Sequence, residues 1–272
     1  MAIVESPAYP GLTAVLEDLG IPTMRASVDE QGMCPDFYAL DQSAVRAAFV
    51  TPSHQYPLGM PLSMARRQAL VAWAQANGGW IVEDDYDSEL RYAGHPFPAM
   101  QGLCPERVLY LGTFSKVMFP VLRMGYIIAP KELTKALAGA RALIDRHSPT
   151  IDQLILAEYI RKGHFEAHIR RTRVLYGERR NALLEALRQE LPTGFEIQPS
   201  DQGMHLLIWL PPRLTDSEVS RRLMAQGLYA RPISGMYGAE PRPGLMLGFG
   251  AFPNHMLRDS VKLLCRELAQ ND

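Results

Sequence analysis

A lysine preceded by two hydroxyl side chains and followed by an arginine is the strongest chemical signal in this chain: Thr113, Phe114, Ser115, Lys116, then Arg123. Val108, Leu109, Tyr110 and Leu111 read as a buried strand ending at Gly112, so Lys116 follows a strand's carboxyl end, where open α/β sheets bind ligands. An amine placed there forms a Schiff base with an aldehyde. Thr113, Ser115 and Arg123 offer the hydroxyl and bidentate guanidinium hydrogen bonds that a phosphate dianion takes. Aldehyde and phosphate together are the needs of pyridoxal 5'-phosphate. A Ser-Lys pair taken alone is equally a solvated loop, because such pairs are common by chance.

A second segment shifts that balance. Trp80, Ile81 and Val82 read as a short strand running into Glu83, Asp84, Asp85, Tyr86 and Asp87. Consecutive carboxylates at a strand end are costly unless a cation is near, and a protonated pyridine nitrogen is such a cation. Asp84 suits that nitrogen and Tyr86 the ring's 3-oxygen. Residues two apart share one side of a strand, so Asp84 and Tyr86 are expected to converge while Asp85 faces away. The competing readings are a solvated acidic turn or a metal site. Metal is disfavoured, since no His or Cys lies close enough in sequence to complete a first shell.

A third strand, Ala47 to Val50, leads into Thr51, Pro52, Ser53, His54, Gln55, Tyr56, Pro57, Leu58 and Gly59, a Pro- and Gly-punctuated loop rich in donors. His54 either stacks on or hydrogen-bonds the cofactor, or satisfies local backbone groups. In a parallel sheet the three strand ends lie along one edge, so topology gathers what sequence separates.

The elements that must do this gathering alternate. A strand over Ala2 to Glu5, a short helix over Thr13 to Leu19 and a strand over Thr23 to Val28 are followed by a helix over Ala65 to Asn77, stopped by Gly78 and Gly79. Strands at Arg107 to Leu111 and Gly125 to Ala129 and helices at Lys131 to Arg146 and Thr150 to Lys162 come next. Alternation of this kind predicts a parallel sheet covered on both faces. A long amphipathic helix from Phe165 to Leu191 leads to a strand at His205 to Leu210, a helix at Asp216 to Gln226 behind a Thr215 cap, a strand at Leu245 to Phe249 and a helix at Asn254 to Ala269. The fold class is therefore α/β: a large, mainly parallel domain over residues 1–163, then an interdomain helix and a small α+β domain over 164–272.

Composition excludes several function classes. The 272 residues carry a net charge of −1, so the overall balance favours neither nucleic acid nor an anionic membrane as a direct partner. Three scattered cysteines without a C-x-x-C pair fit a reducing cytoplasm and argue against a disulfide scaffold or structural zinc. The N-terminus lacks the pattern of a secretory signal, and no apolar run reaches the roughly 18 residues of a membrane span. His164 and His168 miss the zincin spacing, because Glu166 does not adjoin the first His. Arg170, Arg171, Arg173, Arg179 and Arg180 lie among Glu178 and Glu185, which reads as a solvated helix face with local ion pairs.

Thr51 to Gly59, Ile81 to Tyr92 and Tyr110 to Tyr126, with Gly163 to Arg171 and Gly244 to Phe249, resemble the effector domain of MocR-type regulators. That branch of the GntR superfamily fuses a winged helix-turn-helix to a domain similar to fold-type I aminotransferases. The resemblance implies a fold-type I large domain and pyridoxal 5'-phosphate on Lys116, with Asp84 on the ring nitrogen, Tyr86 on the 3-oxygen, and Thr113, Arg123 and, more weakly, Ser115 on the phosphate. It also implies an amine or amino-acid effector, a homodimer, and DNA contact only through an N-terminal helix-turn-helix outside this chain, which then looks truncated at its start. A sheet lacking its opening strand is expected to show an unprotected edge. Two positions depart from working aminotransferases: Tyr56 stands where they usually carry Asn, and Met246 where an Arg clamps the substrate carboxylate. Arg231 and Arg242 are the nearby candidates for that clamp. The alternative reading, a pyridoxal-phosphate-dependent class I/II aminotransferase, shares Lys116, Asp84, Tyr86 and Arg123.

Overall fold

The computed structural model describes residues 1–34 and 44–269. In chain order the elements are β1 (Ala2–Ser6), α1 (Pro10–Asp18), β2 (Thr23–Asp29), β3 (Gly32–Cys34), β4 (Ala47–Val50), α2 (Met64–Asn77), β5 (Trp80–Asp85), α3 (Met100–Leu103), β6 (Val108–Thr113), β7 (Gly125–Ile128), α4 (Lys131–Asp145), α5 (Thr150–Arg161), α6 (His164–Glu190), β8 (Glu196–Gln198), β9 (His205–Trp209), α7 (Asp216–Ala225), β10 (Arg231–Pro232), β11 (Gly244–Gly248) and α8 (Asn254–Ala269).

Seven strands form the first sheet in the order β3-β2-β1-β4-β5-β6-β7. The central five run parallel, and β3 and β7 close the two margins antiparallel. One face is sealed. Ile3, Ala48, Ile81 and Val108 pack there against Leu70, Trp73 and Ala74 of α2 and Met100 of α3. Helix α2 starts where Ser63 accepts a hydrogen bond from the Arg66 amide at 3.4 Å and stops where Gly78 turns left-handed at φ 64°, a conformation that favours glycine.

Coverage of both faces, expected from the alternation, holds only in part. On the opposite face Phe49, Val82, Leu109 and Leu111 stay half-exposed, and Asp84 looks out from this side, so the open face forms the floor of a cleft. At the β7 margin Tyr126, Ile127 and Ile128 are 40, 52 and 46 % exposed.

A second, antiparallel sheet has the order β10-β11-β9-β8. Its outer face buries Leu206, Ile208, Leu245 and Leu247 under Leu183 and Leu187 of α6, Leu223 of α7, and Val261 and Leu264 of α8. Its inner face carries Leu207, Trp209 and Ile233 against Leu58 and Tyr56 of the first unit. The predicted Thr215 cap makes no side-chain bond to the helix. The next residue does the work instead: buried Asp216 accepts from the amides of Ile233, Ser234 and Gly244 at 3.0, 2.8 and 3.1 Å, tying α7 to β10 and β11. The arginines of α6 also differ from the expected ladder of local ion pairs. Arg173, Arg179 and Arg180 donate across the fold to the carbonyls of Glu89, Gly250 and Ser200.

Candidate functional site

The parallel register places Val50 beside Glu83 and Asp84 beside Leu111, so the loops after β4, β5 and β6 leave the sheet at one edge. β5 extends three residues further than its apolar run suggested, because its carboxylates find partners on the sealed side. Glu83 accepts from the Met100 and Gln101 amides at 3.0 and 2.9 Å, capping α3. Asp85 accepts from the Tyr110 hydroxyl at 2.7 Å. Asp84 and Tyr86, on alternate positions, face the cleft together as the pleat requires.

Asp84 has no hydrogen-bond partner among the described residues. Burial, reinforced by the Asp85 and Asp87 charges, raises its pKa to about 6 against the pull of Lys116. A sunken carboxyl without a donor among the described residues, within electrostatic reach of an amine, would suit a protonated ring nitrogen as its partner. Lys116 itself is exposed and makes no ion pair among the described residues. Its loop is fixed from behind: Val117 is 1 % exposed and packs against Leu90 and Ile169, and its carbonyl lies 2.8 Å from His168 Nε2. Thr113 accepts from the Ser115 amide at 3.2 Å. The Phe114 amide reaches the Met124 carbonyl at 3.0 Å, which holds this loop to the start of β7, next to exposed Arg123.

His54 is drawn into the protein. Its Nδ1 lies 2.9 Å from Asp87 and 3.0 Å from the Tyr86 hydroxyl, and its Nε2 lies 3.1 Å from the Ser200 hydroxyl. Its ring stacks on Tyr86 and His205 at centroid distances of 5.6 and 5.4 Å. It thus orients Tyr86 from behind, with both nitrogens engaged. Close approach of the second unit depends on Gly203, whose φ is 79°; a Cβ there would lie 2.2 Å from His54 Cε1. Tyr56 borders the cleft, edge-on to Tyr86 at 5.9 Å and to Tyr9 at 5.7 Å.

Sequence reasoning passed over Glu5, Asp87, Ser200 and Gln202, whose partners are remote in the chain. Glu5 had a signal, a charge closing an apolar strand. It is 4 % exposed and accepts from the Thr51 hydroxyl at 2.6 Å and the Gln55 amide at 3.2 Å. Burial raises its pKa to about 7, only partly offset by those bonds. The folded chain therefore holds a proton that the unfolded chain releases near 4.5. Stability from this group is complete below 4.5 and is lost as pH rises to 7. Glu5→Gln should match wild type in urea unfolding at pH 4.5 and exceed it at pH 8 by on the order of 3 kcal/mol. A gap that does not change with pH would contradict this.

Residues 1–242 match the aminotransferase class I and II family. The HTH-type pyridoxine biosynthesis transcriptional regulator PdxR of Corynebacterium glutamicum is 38% identical over 256 residues, 94% of this chain and 55% of its own length. The probable rhizopine catabolism regulatory protein MocR of Rhizobium meliloti is 34% identical over 266 residues, 96% of this chain and 53% of its own length. The chain thus spans about half the length of these regulators. Among solved structures, the kynurenine aminotransferase of Pyrococcus horikoshii, in complex with PMP and kynurenine, superimposes with a TM-score of 0.89 at 26% identity, covering 99% of this chain and 69% of the enzyme. Sheet order, the three loops at one edge and these matches agree: the chain belongs to the aminotransferase class I and II family, with the fold-type I architecture and a MocR-type likeness along nearly its whole length.

Proposed function

We propose that this chain is the ligand-sensing part of a transcriptional regulator, which holds pyridoxal 5'-phosphate through Lys116 and binds an amine or amino-acid effector. The observation that carries the reading is Asp84: a recessed carboxyl without a hydrogen bond among the described residues, sharing an open cleft with Lys116 and Tyr86. The cofactor, when bound, supplies an electrophilic carbon for amines and a ring that withdraws electrons. The rest falls to the protein. Asp84 would accept a hydrogen bond from the protonated ring nitrogen and keep it charged, Tyr86 would donate to the 3-oxygen while His54 fixes its hydroxyl, and Thr113, Ser115 and Arg123 would bind the phosphate. Lys116 would hold the aldehyde, and an effector amine would compete with it for that carbon.

Sensing is favoured over turnover because Met246 packs in an apolar cluster with Tyr56, Leu58 and Ile233, leaving β11 without the cationic clamp of working aminotransferases. A sensor needs only an effector that favours one arrangement of the two units over another. DNA contact belongs to a helix-turn-helix outside this chain, and a homodimer is part of the proposal. No helix among the described residues is long and apolar enough to cross a membrane.

Titration with pyridoxal phosphate, followed by visible absorption, tests the assignment. Asp84→Asn should weaken cofactor binding at pH 7.5 by roughly tenfold or more, the scale of a charge-assisted hydrogen bond. Lys162→Ala, which removes an exposed partner of Glu158, should leave it unchanged. Equal effects of the two would remove Asp84 from the site. Turnover of a common amino acid at enzyme-like rates of about 10 per second would make the chain an aminotransferase instead.

A further inference from the structure

A second pocket, of about 550 Å³, opens where the two units meet, lined by Leu58, Met60 and Arg91 of the first and by Ile197, Ser200 and Trp209 of the second. Its size is that of a small-molecule site. Lys116, Asp84 and Tyr86 do not line it. Gln198 and Gln202 brace its walls by donating to the carbonyls of Leu58 and Ser53 in the loop after β4.

Arg91 gives this pocket its charge. Its guanidinium lies 4.8 Å over the Phe97 ring and donates from Nη1 to Gln202 at 3.0 Å. Its Nε is buried without an acceptor, and Arg91 pairs with no carboxylate among the described residues. The acids around the pocket are paired or solvated: Glu196 meets Arg242 at 2.5 Å, Asp201 meets Arg180 at 2.8 Å, and Glu30 is exposed. Exposed charges are screened by water and salt, whereas a half-buried one keeps its field. A half-buried guanidinium without a counter-ion is relieved by an incoming anion, and Leu58, Met60 and Ile197 offer an apolar wall to the rest of such a molecule.

Ser200 connects the pocket to the cofactor cleft. Its hydroxyl lies 3.1 Å from His54 Nε2 and 3.0 Å from the Gln202 carbonyl. Gly59, which also lines the pocket, leaves room beside this pair: a Cβ there would stand 3.3 Å from both His54 Nε2 and Ser200 Oγ. His54 Nδ1 is shared between Asp87 and the Tyr86 hydroxyl. With the ring proton on Nδ1 the Asp87 carboxylate is satisfied, Tyr86 keeps its own proton for a partner in the cleft, and Nε2 needs the Ser200 proton. An oxyanion that draws the Ser200 proton into the pocket takes that partner away.

We infer that this pocket is a second ligand site, for a small carboxylate with an apolar body, and that filling it weakens cofactor binding through Ser200, His54 and Tyr86. The coupling rests on the proposed function; the binding at Arg91 does not.

Trp209 reports the binding without any cofactor. Its fluorescence should change saturably with 4-methylpentanoate and about tenfold more weakly with 4-methylpentanamide, the scale of a charge-assisted hydrogen bond, and Trp209→Phe should lose the signal. Arg91→Gln should weaken 4-methylpentanoate by about tenfold and Arg91→Lys by less, whereas Lys116→Ala should leave it within about twofold. Inorganic phosphate should bind more weakly than 4-methylpentanoate; parity would overturn the apolar half of the site. In the pyridoxal-phosphate-loaded chain, saturating 4-methylpentanoate should lower cofactor affinity by roughly fivefold or more. Ser200→Ala should remove that shift and keep the carboxylate bound. Equal binding of acid and amide, or binding indifferent to Arg91→Gln, overturns the site, and a cofactor affinity that 4-methylpentanoate leaves unchanged overturns the coupling. Failure of the loaded chain to show a Schiff-base band overturns the proposed function, and the Trp209 signal then still decides whether Arg91 captures a carboxylate.

Discussion

Lys116→Ala is expected to yield a chain that unfolds at the wild-type temperature and shows no Schiff-base band beyond the absorption of free pyridoxal phosphate. Both halves follow from one observation. The side chain is exposed and makes no hydrogen bond among the described residues, so truncating it removes no packing, and surface changes of this kind are close to neutral. The amine, however, is the group in the cleft placed to condense with an aldehyde, and its charge already acts on both Asp84 and His205. His205, stacked on His54 and buried, is held neutral with its pKa near 4, chiefly by burial, so it cannot supply a substitute cation. Circular dichroism melts paired with an absorption titration separate the two halves. A band that persists in Lys116→Ala would mean that another lysine carries the aldehyde, and the site would have to be moved.

The parts of this site that were legible in the sequence are those written locally. Strand ends at Val50 and Leu111 followed by donor-rich loops, the i, i+2 relation of Asp84 and Tyr86, and the periodic helices α2, α6 and α8 need only neighbouring residues to be seen. What stayed hidden depends on pairs far apart in the chain. The His54–Ser200 contact spans 146 residues, and β10, two residues long, has no periodicity to detect. The extent of β5 was underestimated for a related reason: its carboxylates looked unpaired because the α3 amides and the Tyr110 hydroxyl that satisfy them lie on separate elements. Thr215 was a sound capping candidate by type, but the buried bonds of Asp216 fix that helix start from a different direction.

Arg67 is the position where a single change should do most damage to the fold. It is fully buried, and its guanidinium donates to the carbonyls of Leu62, Pro98 and Pro52 at 2.9, 2.8 and 2.6 Å. Burial lowers its pKa, and the nearby Glu83 and Asp85 carboxylates push the other way, so the charge is compensated and the donors are spent on backbone carbonyls, that of Pro52 shared with the Leu62 amide at 2.9 Å. Arg67→Met keeps much of the stem, leaves the Leu62 and Pro98 carbonyls without this donor and the Pro52 carbonyl with the Leu62 amide alone, a loss of about 3–5 kcal/mol by the standard of broken buried pairs. For a chain of this size that is a fall in melting temperature of roughly 10 °C. Arg161→Ala, which removes an exposed partner of Glu158, should leave the midpoint where it was. The effect should also reach the site, because the Pro52 carbonyl anchors the loop that holds Thr51, His54 and Tyr56. At a temperature where Arg67→Met is still folded, its affinity for pyridoxal phosphate should be lower than that of wild type. Melting at the wild-type temperature would show that the carbonyls find other donors, and the loop after β4 would then owe its shape to Gln55, whose side chain donates to the carbonyls of Pro7 and Tyr56 at 2.9 and 2.8 Å.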